Sequence, residues 1–485
     1  MKTLLAATAM SLIAVSCPVY AQSAIEQTLE FYIEMANQDG KIEYSSKDSG
    51  DDYVEYKDVV IAAPNGELEI TTPWLRAADV DGGMAEISFA PEMNVSIKES
   101  AEAPATTFVV SSENLVLTTN TIVMDPSALT TIHVDLVSDS LEVSDLVSGV
   151  PEMLRDLSFS QTASVISFNL DLETMKSSGG WSADAITMAY DFSIEGQTQK
   201  AVSEMVDLDV TFDLDVPQGE EDIMAFLDGT KNAVIKMTTG ASSGSGSFAD
   251  PNMAITYEGS GEGSEAEISM VGGNVLYMVK GGALDYTITP EGLPIEPVNL
   301  SMSEMLMNFA IPFGSTTEMS EANMTMRLAD LVIGESAWNL FDPGATLPRD
   351  PINVDVNISA NVQFAEDLMM VSQMNPMGAV KISDATINSF LIELAGAKAT
   401  AEGGLTFDPN MPMPIPSGTV TIMLDGVTTL TQKLVDLGIV PAGEAAQFMA
   451  MLPMFAQPVG DDNYSSEIEF KGMEGVTVNG MPIPM

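Results

Sequence analysis

The chain is poor in the side chains on which most enzyme chemistry depends. Its 485 residues include one cysteine, Cys17, and one histidine, His133. Because we expect Cys17 to be removed with an N-terminal leader, the mature chain would have no disulfide, thiol nucleophile or Cys/His zinc site. His133 alternates with apolar neighbours in TIHVDL, so it is predicted to lie on the polar face of a strand.

Motifs that mark common catalytic and nucleotide-binding folds are also missing. The sequence has no G-x-S-x-G turn, no G-x-x-x-x-G-K-[ST] loop and no G-x-G-x-x-G between a strand and a helix. We therefore predict that the protein is not an enzyme and has no catalytic residue, cofactor or metal site. Carboxylate-only chemistry stays open, because 70 acidic side chains offer no way to choose a catalytic pair.

Basic residues are scarce, at 18 against 70 acidic ones, which gives a formal net charge of −52. Such a surface repels nucleic acid phosphates and anionic lipids, so we expect no nucleic acid partner. The acids are scattered along the chain, which favours a solvated surface suited to a salty, calcium-containing medium. Cation binding by this surface is the alternative interpretation.

Long apolar runs are absent after the first residues, which predicts no transmembrane helix in the mature chain. Residues 1–21 have the pattern of a signal peptide, with Lys2, a short apolar stretch and a cleavage site after Ala21. We therefore expect a periplasmic or secreted protein. Lipidation at Cys17 is a weaker alternative, because the preceding tripeptide lacks the expected leucine.

What the sequence does have is strict alternation of apolar and polar residues. VDLDVTFDLDV (Val206–Val216) and INVDVNISANVQF (Ile352–Phe364) alternate without a fault. A period of two predicts strands with one dry and one wet face, which is typical of antiparallel sheets. Shorter strands are predicted at Val54–Ile61, Glu67–Thr71, Phe108–Thr118, Ser164–Leu172, Ala185–Ile194, Asn274–Val279, Leu284–Thr289, Gly404–Phe407, Thr419–Leu424 and Ser466–Phe470. Turns are predicted at Pro64–Gly66, Asp81–Gly83, Ser178–Gly180, Gly281–Gly282 and Asp425–Gly426.

Helices are predicted to be few and short. The candidates are Ser23–Asn37, Ser301–Phe309 with a Ser301-x-x-Glu304 capping pattern, Thr429–Leu437 and Gly443–Phe455. The Gly/Ser-rich stretch Gly240–Ser247 is predicted to be a boundary between halves or a long hairpin loop. We therefore expect a β-rich half at 22–240 and a β-rich half with short helices at 241–485.

Two patterns raise the question of metal binding. Asp79–Gly82 begins like a calcium loop but lacks its later ligands, so a plain turn is favoured. Methionines cluster at Met302, Met305, Met307, Met369, Met370, Met374, Met377, Met411, Met413, Met449, Met451 and Met454. We interpret most of them as core packing, with an adaptable apolar groove second and copper binding a distant third.

The stretch WNLFDPGATLPRDP (Trp338–Pro351) resembles a signature of an exported alphaproteobacterial family known as domain of unknown function 2125. The chain is similar to that family from Leu293 to its end, and the resemblance implies export and a β-rich fold without catalytic residues. A more distant analogy is to AsmA-like envelope proteins, whose curved sheets have an apolar face suited to acyl chains.

Within this stretch we predict a structural clasp, with partner docking as the alternative. Its candidate residues are Trp338, Phe341, Asp342, Pro343, Arg349, Asp350 and Pro351. Arg349 is expected to pair with Asp342 or Asp350, and the two prolines at 348 and 351 are expected to stiffen the start of the next strand.

Together these features predict a mainly β fold with large twisted antiparallel sheets that form a groove or a sandwich. The leading hypothesis is a non-enzymatic exported protein whose apolar sheet face, partly covered by short Met-rich helices, binds a lipid or another amphiphile. The alternatives are a structural or surface interaction sandwich without ligand and, less favoured, an outer-membrane β-barrel.

Overall fold

The computed structural model describes residues 24–63, 66–80, 84–100, 102–122, 128–150, 153–217, 223–292, 294–366, 378–408 and 415–483. The proposed signal peptide, most of the calcium-like turn and the methionines at 369–377, 411 and 413 lie outside these residues. The interpretations placed on them stay predictions.

Five α-helices are found in the described residues, namely Ala24–Asp39 (α1), Ile223–Leu227 (α2), Glu335–Trp338 (α3), Val427–Asp436 (α4) and Ala442–Phe455 (α5), together with a short 3-10 helix at Gly472–Glu474. The strands are Lys41–Glu43 (β1), Ser46–Ser49 (β2), Tyr53–Ala62 (β3), Leu68–Val80 (β4), Met84–Phe89 (β5), Glu92–Ile97 (β6), Thr106–Glu113 (β7), Val116–Thr119 (β8), Thr131–Val147 (β9), Leu154–Asp171 (β10), Lys176–Ile194 (β11), Gln197–Asp215 (β12), Ala233–Thr239 (β13), Ser242–Ala249 (β14), Ala254–Gly261 (β15), Ser264–Val271 (β16), Asn274–Gly281 (β17), Leu284–Pro290 (β18), Val298–Met302 (β19), Glu304–Pro312 (β20), Ser320–Ile333 (β21), Ile352–Phe364 (β22), Val380–Leu394 (β23), Ala397–Phe407 (β24), Pro416–Asp425 (β25), Gln457–Gly460 (β26), Asn463–Lys471 (β27), Val476–Val478 (β28) and Met481–Ile483 (β29).

The mainly β fold class is confirmed, with 65% strand, 11% helix and a large antiparallel sheet. Both strictly alternating segments are strands: 206–215 lies in β12, and 352–364 is β22. In β12 the apolar side chains of Leu208, Val210 and Phe212 are buried or half-buried, whereas the intervening polar ones are exposed. The strands β9 to β12 have 17 to 19 residues each, far above the usual length of about 5–6 residues.

The chain divides into two compact units. The first comprises Met1–Val216 and Met237–Thr256, and the second comprises Pro217–Lys236 and Tyr257–Met485. In the first unit, α1 packs on the sheet as its apolar stripe predicts. Ile25 joins a buried cluster that also contains Val54, Tyr56, Val59, Ala77 and Ala85.

In the second unit, a smaller buried cluster consists of Trp338, Leu347 and Ala395. Leu430, Leu434 and Leu437, from α4 and the residue after it, pack against this cluster. The helices predicted at Ser23–Asn37, Thr429–Leu437 and Gly443–Phe455 are thus confirmed as α1, α4 and α5.

The helix predicted at Ser301–Phe309 is wrong, because this segment forms the end of β19 and most of β20. Strand β20 pairs with β17 on one side and with β21 on the other, so tertiary pairing outweighs the local capping pattern. Met305 and Met307 are accordingly strand residues and not part of a helical stripe.

The long hairpin loop, one of the two interpretations of Gly240–Ser247, is wrong, whereas the boundary between halves stays a prediction. Residues 242–249 form β14, which pairs in register with β12 from Met205 to Thr198.

The turn predicted at Ser178–Gly180 lies inside β11. Gly179 is paired with Phe168 on one side and Phe212 on the other, and the two rings are 6.3 Å apart. A Cβ atom on Gly179 would be 2.1 Å from the carbonyl oxygen of Ser167 and 2.8 Å from the Phe212 ring, so the close approach of the neighbouring backbone, and then the ring, requires glycine here. The single strand predicted at Phe108–Thr118 is interrupted instead, because Asn114 has a left-handed φ of 52° between β7 and β8.

The polar face of β22 is less exposed to solvent than we expected. Its polar side chains are half-buried, because they form hydrogen bonds across β21, β22 and β23. Arg327 Nε donates to Asp355 Oδ2 at 3.0 Å, and Asn361 Nδ2 donates to Asp384 Oδ1 at 2.8 Å. Cross-strand neighbours on one face are close enough to form hydrogen bonds with one another, so the polar side chains of this face are linked from strand to strand.

Candidate functional site

The candidate site is an apolar pocket in the second unit, between α5 and the sheet beneath it. The floor is formed by β25, β27 and β28. Ile422 and Leu424 lie two residues apart on β25 and therefore face the same side. Ile468 of β27 is paired with Val478 of β28, and Ser466 is paired with Ile422.

The roof is α5, whose residues at helical spacing point down to these strands. Phe448, Met451, Leu452 and Phe455 line the cavity and lie on one side of the helix. Glu444 and Gln447 add the polar atoms of two longer side chains to the lining. The cavity has a volume of about 530 Å³, within the range of about 300–1,000 Å³ that is usual for small-molecule sites.

Helix α5, which forms the roof, makes few contacts that fix it to the sheet beneath. Only Ala445 and Leu452 of α5 are buried, whereas Phe448, Met451 and Phe455 are 43%, 41% and 44% exposed. The carbonyl oxygen of Phe455 accepts hydrogen bonds from Ser466 Oγ at 2.5 Å and Asn479 Nδ2 at 3.1 Å. The C-terminal end of α5 is therefore fixed to β27 and to the β28–β29 turn, and the rest of the helix leaves the pocket open.

The neighbouring helix α4 is fixed by a residue from a distant loop. Asp462 Oδ1 accepts from the backbone nitrogen of Thr428 at 3.0 Å, and its Oδ2 accepts from that of Thr429 at 2.9 Å. Burial raises the pKa of Asp462, but hydrogen bonds from both threonines outweigh this and lower it below its ordinary value. The carboxylate thus caps the N-terminus of a helix whose own N-cap residue, Gly426, has no side chain to do so.

The contacts among the residues of the predicted clasp centre on Asp342, which is completely buried. Its carboxylate accepts hydrogen bonds from the backbone nitrogens of Thr346 at 2.9 Å and Leu347 at 2.8 Å. Arg349 Nη1 donates to Asp342 Oδ2 at 2.8 Å, and Arg349 Nη2 donates to the Asp342 carbonyl oxygen at 2.8 Å. Arg349 therefore pairs with Asp342, the first of the two partners that we considered.

The pKa of Asp342 reflects these contacts. Burial alone would raise it, but the two backbone hydrogen bonds and the charge of Arg349 lower it to about 2. The guanidinium of Arg349 also lies 4.7 Å from the centre of the Trp338 ring, which is a favourable cation–π distance. These interactions close the loop between α3 and β22.

The other predicted clasp residues lie around this centre. Trp338 is buried, with the ring of Phe341 5.3 Å away, whereas Phe341, Pro343, Asp350 and Pro351 are exposed. None of the seven is among the residues that line the pocket. The clasp instead contacts α4 through Trp338 and Leu347, so its geometry indicates a supporting role.

The sequence reading missed the pocket but contained one signal for it. The sequence predicts core packing for most of the clustered methionines, but Met449 and Met451 are 40% and 41% exposed, so this prediction is wrong for both. The helix is apolar on all sides, and a single sheet face can bury only one of them. The adaptable apolar groove, our second interpretation, agrees better with their exposure.

His133 lies on the polar face of β9, as predicted. Its ring nitrogens lie 2.6 Å from Asn169 Oδ1 and 2.8 Å from Asp135 Oδ2. The hydrogen bond with Asn169, followed by the contact with Asp135, raises the pKa of His133. These contacts join polar side chains of neighbouring positions on one face of the sheet.

In the described parts of the chain, no group of three or more His, Cys, Asp or Glu residues has the geometry to hold a metal ion. No helix there is both long enough and apolar enough to cross a membrane. Comparisons with protein-family models, curated proteins and solved structures found no match to the chain. The family resemblance of the C-terminal half stays a prediction, and the function must be argued from the site itself.

Proposed function

We propose that this is a non-enzymatic exported protein, periplasmic or secreted, that binds a lipid or another amphiphile. The apolar tail of the ligand occupies the pocket. The observation that carries this proposal is the cavity of about 530 Å³ beneath α5, with sheet residues such as Ile422 and Val478 on its floor. Its walls offer an acyl chain an apolar surface on both sides.

The charge of the protein restricts the head group that the ligand can have. Glu444 is the only charged residue that lines the pocket, and the chain as a whole has a formal net charge of −52. An anionic head group beside these charges is disfavoured. The proposed ligand therefore has one alkyl chain in the pocket and a neutral or cationic head group at its mouth.

Displacement of the neutral fluorescent probe N-phenyl-1-naphthylamine tests this proposal. Decanol, dodecanol and tetradecanol should displace the probe with affinities that rise about tenfold for each two carbons, because each buried CH₂ contributes about 0.8 kcal/mol. Dodecylammonium should compete at least as well as dodecanol, and dodecanoate should compete less well.

Two neighbouring residues on opposite faces of β25 give a matched pair of variants. Ile422→Asp places a carboxylate in the pocket and should weaken probe binding at least tenfold. Met423→Asp adds the same charge at a residue that is 40% exposed and outside the lining, and should leave binding unchanged. Phe448→Ala serves as a second pocket variant if Ile422→Asp does not fold. Equal affinity in all variants, or no saturable binding, would contradict the proposal and favour a structural protein without ligand.

A further inference from the structure

The outward side of α5 is an exposed apolar surface that the pocket does not use. Met449 and Met454 are 40% and 62% exposed, and neither lines the cavity. Ile439 before the helix and Val459 after it are 47% and 57% exposed. We name the two methionines of the helix, Met449 and Met454, the α5 surface.

The α5 surface lies in a part of the chain that is poor in charge. Between Asp436 and Asp461 the sequence contains one charged residue, Glu444, although the whole chain has 70 acidic and 18 basic residues. An exposed helix that is apolar on all sides, in a protein with so acidic a surface, indicates contact with something uncharged and apolar.

The mouth of the pocket lies on the same helix. Phe448, Met451 and Phe455 line the cavity and are also more than 40% exposed, so they connect its interior to the exterior. A single-chain amphiphile has low solubility as a monomer, and the place where its chains are abundant is a bilayer. A helix that contacts a bilayer with one side and roofs the pocket with the other would bring the pocket mouth to its source of ligand.

We infer that the α5 surface docks on lipid bilayers of low negative charge, and that amphiphiles enter the pocket from there. The choice of bilayer follows from charge, because a protein at −52 is repelled by anionic lipid headgroups. The apolar side chains enter the interface between headgroups and acyl chains, as they do in other interfacial helices. This inference rests on the proposed binding function but is tested separately from it.

Flotation with vesicles tests the docking. The full mature chain should float with phosphatidylcholine vesicles at 150 mM salt, and it should float several-fold less with vesicles that contain one-third phosphatidylglycerol. The double variant Met449→Glu/Met454→Glu should lose at least tenfold in vesicle binding and keep its affinity for N-phenyl-1-naphthylamine. Met423→Glu adds a carboxylate on the opposite face of β25 and should change neither measurement.

The pocket variant Ile422→Asp separates the two proposals. It should lose probe binding and still float with phosphatidylcholine vesicles, because the α5 surface is intact. The inference is overturned if the wild-type chain does not float, if Met423→Glu impairs flotation as much as the double variant does, or if light scattering shows a dimer that the double variant dissociates. In that last case a second copy of the chain, and not a bilayer, covers the α5 surface.

Discussion

Two helices of this protein lie on sheet faces, and they cover those faces to different extents. Under α1 is a sealed layer, in which Ile25 is 1% exposed and Val54 is 0% exposed. Under α5 is an open layer, in which the helix buries only Ala445 and Leu452 and leaves a cavity of about 530 Å³.

The difference between the layers lies in the sequences of the two helices. In α1 the apolar residues Ile25, Leu29 and Ile33 form one stripe, and the other sides carry polar residues such as Glu26 and Glu30. In α5 large apolar residues occur on every side, so those that do not reach the sheet stay exposed. The same arrangement of helix on sheet thus serves as a core in one place and as a candidate binding site in the other.

The layers also differ in how the helix is attached. Lys47 lies 2.7 Å from Glu26 Oε1 and also forms an ion pair with Glu30, so two charges of α1 are bound to β2. Burial lowers the pKa of Lys47, but the hydrogen bonds that it donates to both glutamates outweigh this and raise it. In α5 the corresponding attachment is a single carbonyl oxygen, that of Phe455, with Ser466 and Asn479 as donors.

Truncation of one apolar residue in each layer should show the largest contrast. Ile25→Ala removes a fully buried side chain and should lower the free energy of unfolding by about 2–5 kcal/mol. Phe448→Ala removes a half-exposed one and should cost less than about 1 kcal/mol while it weakens probe binding. Chemical denaturation monitored by circular dichroism measures both costs. Similar values for the two variants would show that α5 is as firmly packed as α1.

Removal of one charge from each helix layer should give the next largest contrast in the free energy of unfolding. Lys47→Met takes the cation away from the buried Glu26 and should cost about 1–3 kcal/mol. Glu444→Gln changes an exposed residue of α5 and should shift the free energy of unfolding by less than about 0.5 kcal/mol. Urea titrations at pH 7 measure both. If Lys47→Met leaves the free energy of unfolding unchanged, apolar contacts alone attach α1.

The cap of α4 provides a smaller and more local effect. Asp462→Ala leaves the first nitrogens of α4 without their carboxylate and should cost about 0.5–2 kcal/mol. Asp462→Asn keeps an acceptor at the same position and should recover most of this loss. Hydrogen exchange should show faster opening of α4 in the alanine variant, with α1 unchanged. Equal exchange in both helices would contradict a local role for the cap.

The clasp should add a dependence of stability on acid pH. The pKa of Asp342 is about 2 in the folded protein and has an ordinary value of 3.8. Folding therefore favours its ionised form, and this contribution is complete above pH 4 and is lost as the pH falls toward 2. The difference in stability between the wild type and Asp342→Asn should shrink across this window in thermal melts. A constant difference from pH 5 to pH 2 would show that Asp342 does not titrate there.

The strand architecture could be predicted from the sequence where alternation was long. Val206–Val216 and Ile352–Phe364 read correctly because a period of two persists for more than ten residues. Ser301–Phe309 was misread because its capping pattern is local, whereas its pairing with β17 and β21 is not. The turn predicted at Ser178–Gly180 is wrong because Gly179 is required by the close approach of the Ser167 backbone on a neighbouring strand, which a local pattern does not reveal.

The candidate site was harder to predict than the fold. The clasp pair Asp342 and Arg349 was foreseen because the two residues flank one turn, but the choice of Asp342 over Asp350 depends on the backbone nitrogens of Thr346 and Leu347. The pocket depends on how far α5 stands from β25, β27 and β28. Sequence patterns give no such distance, so Phe448 and Val478 could not be assigned to one cavity in advance.

The claim that α5 covers a binding pocket can be tested most directly with one fluorophore inside the pocket and another on the opposite face of the sheet. Phe448→Trp puts an indole in the pocket, and Met423→Trp puts one on the opposite face of β25. We predict that dodecanol with a bromine on its terminal carbon quenches the indole at 448 saturably, with one molecule bound per chain, and leaves the indole at 423 bright. Equal quenching at the two positions, or none at 448, would contradict the claim that α5 roofs a binding pocket.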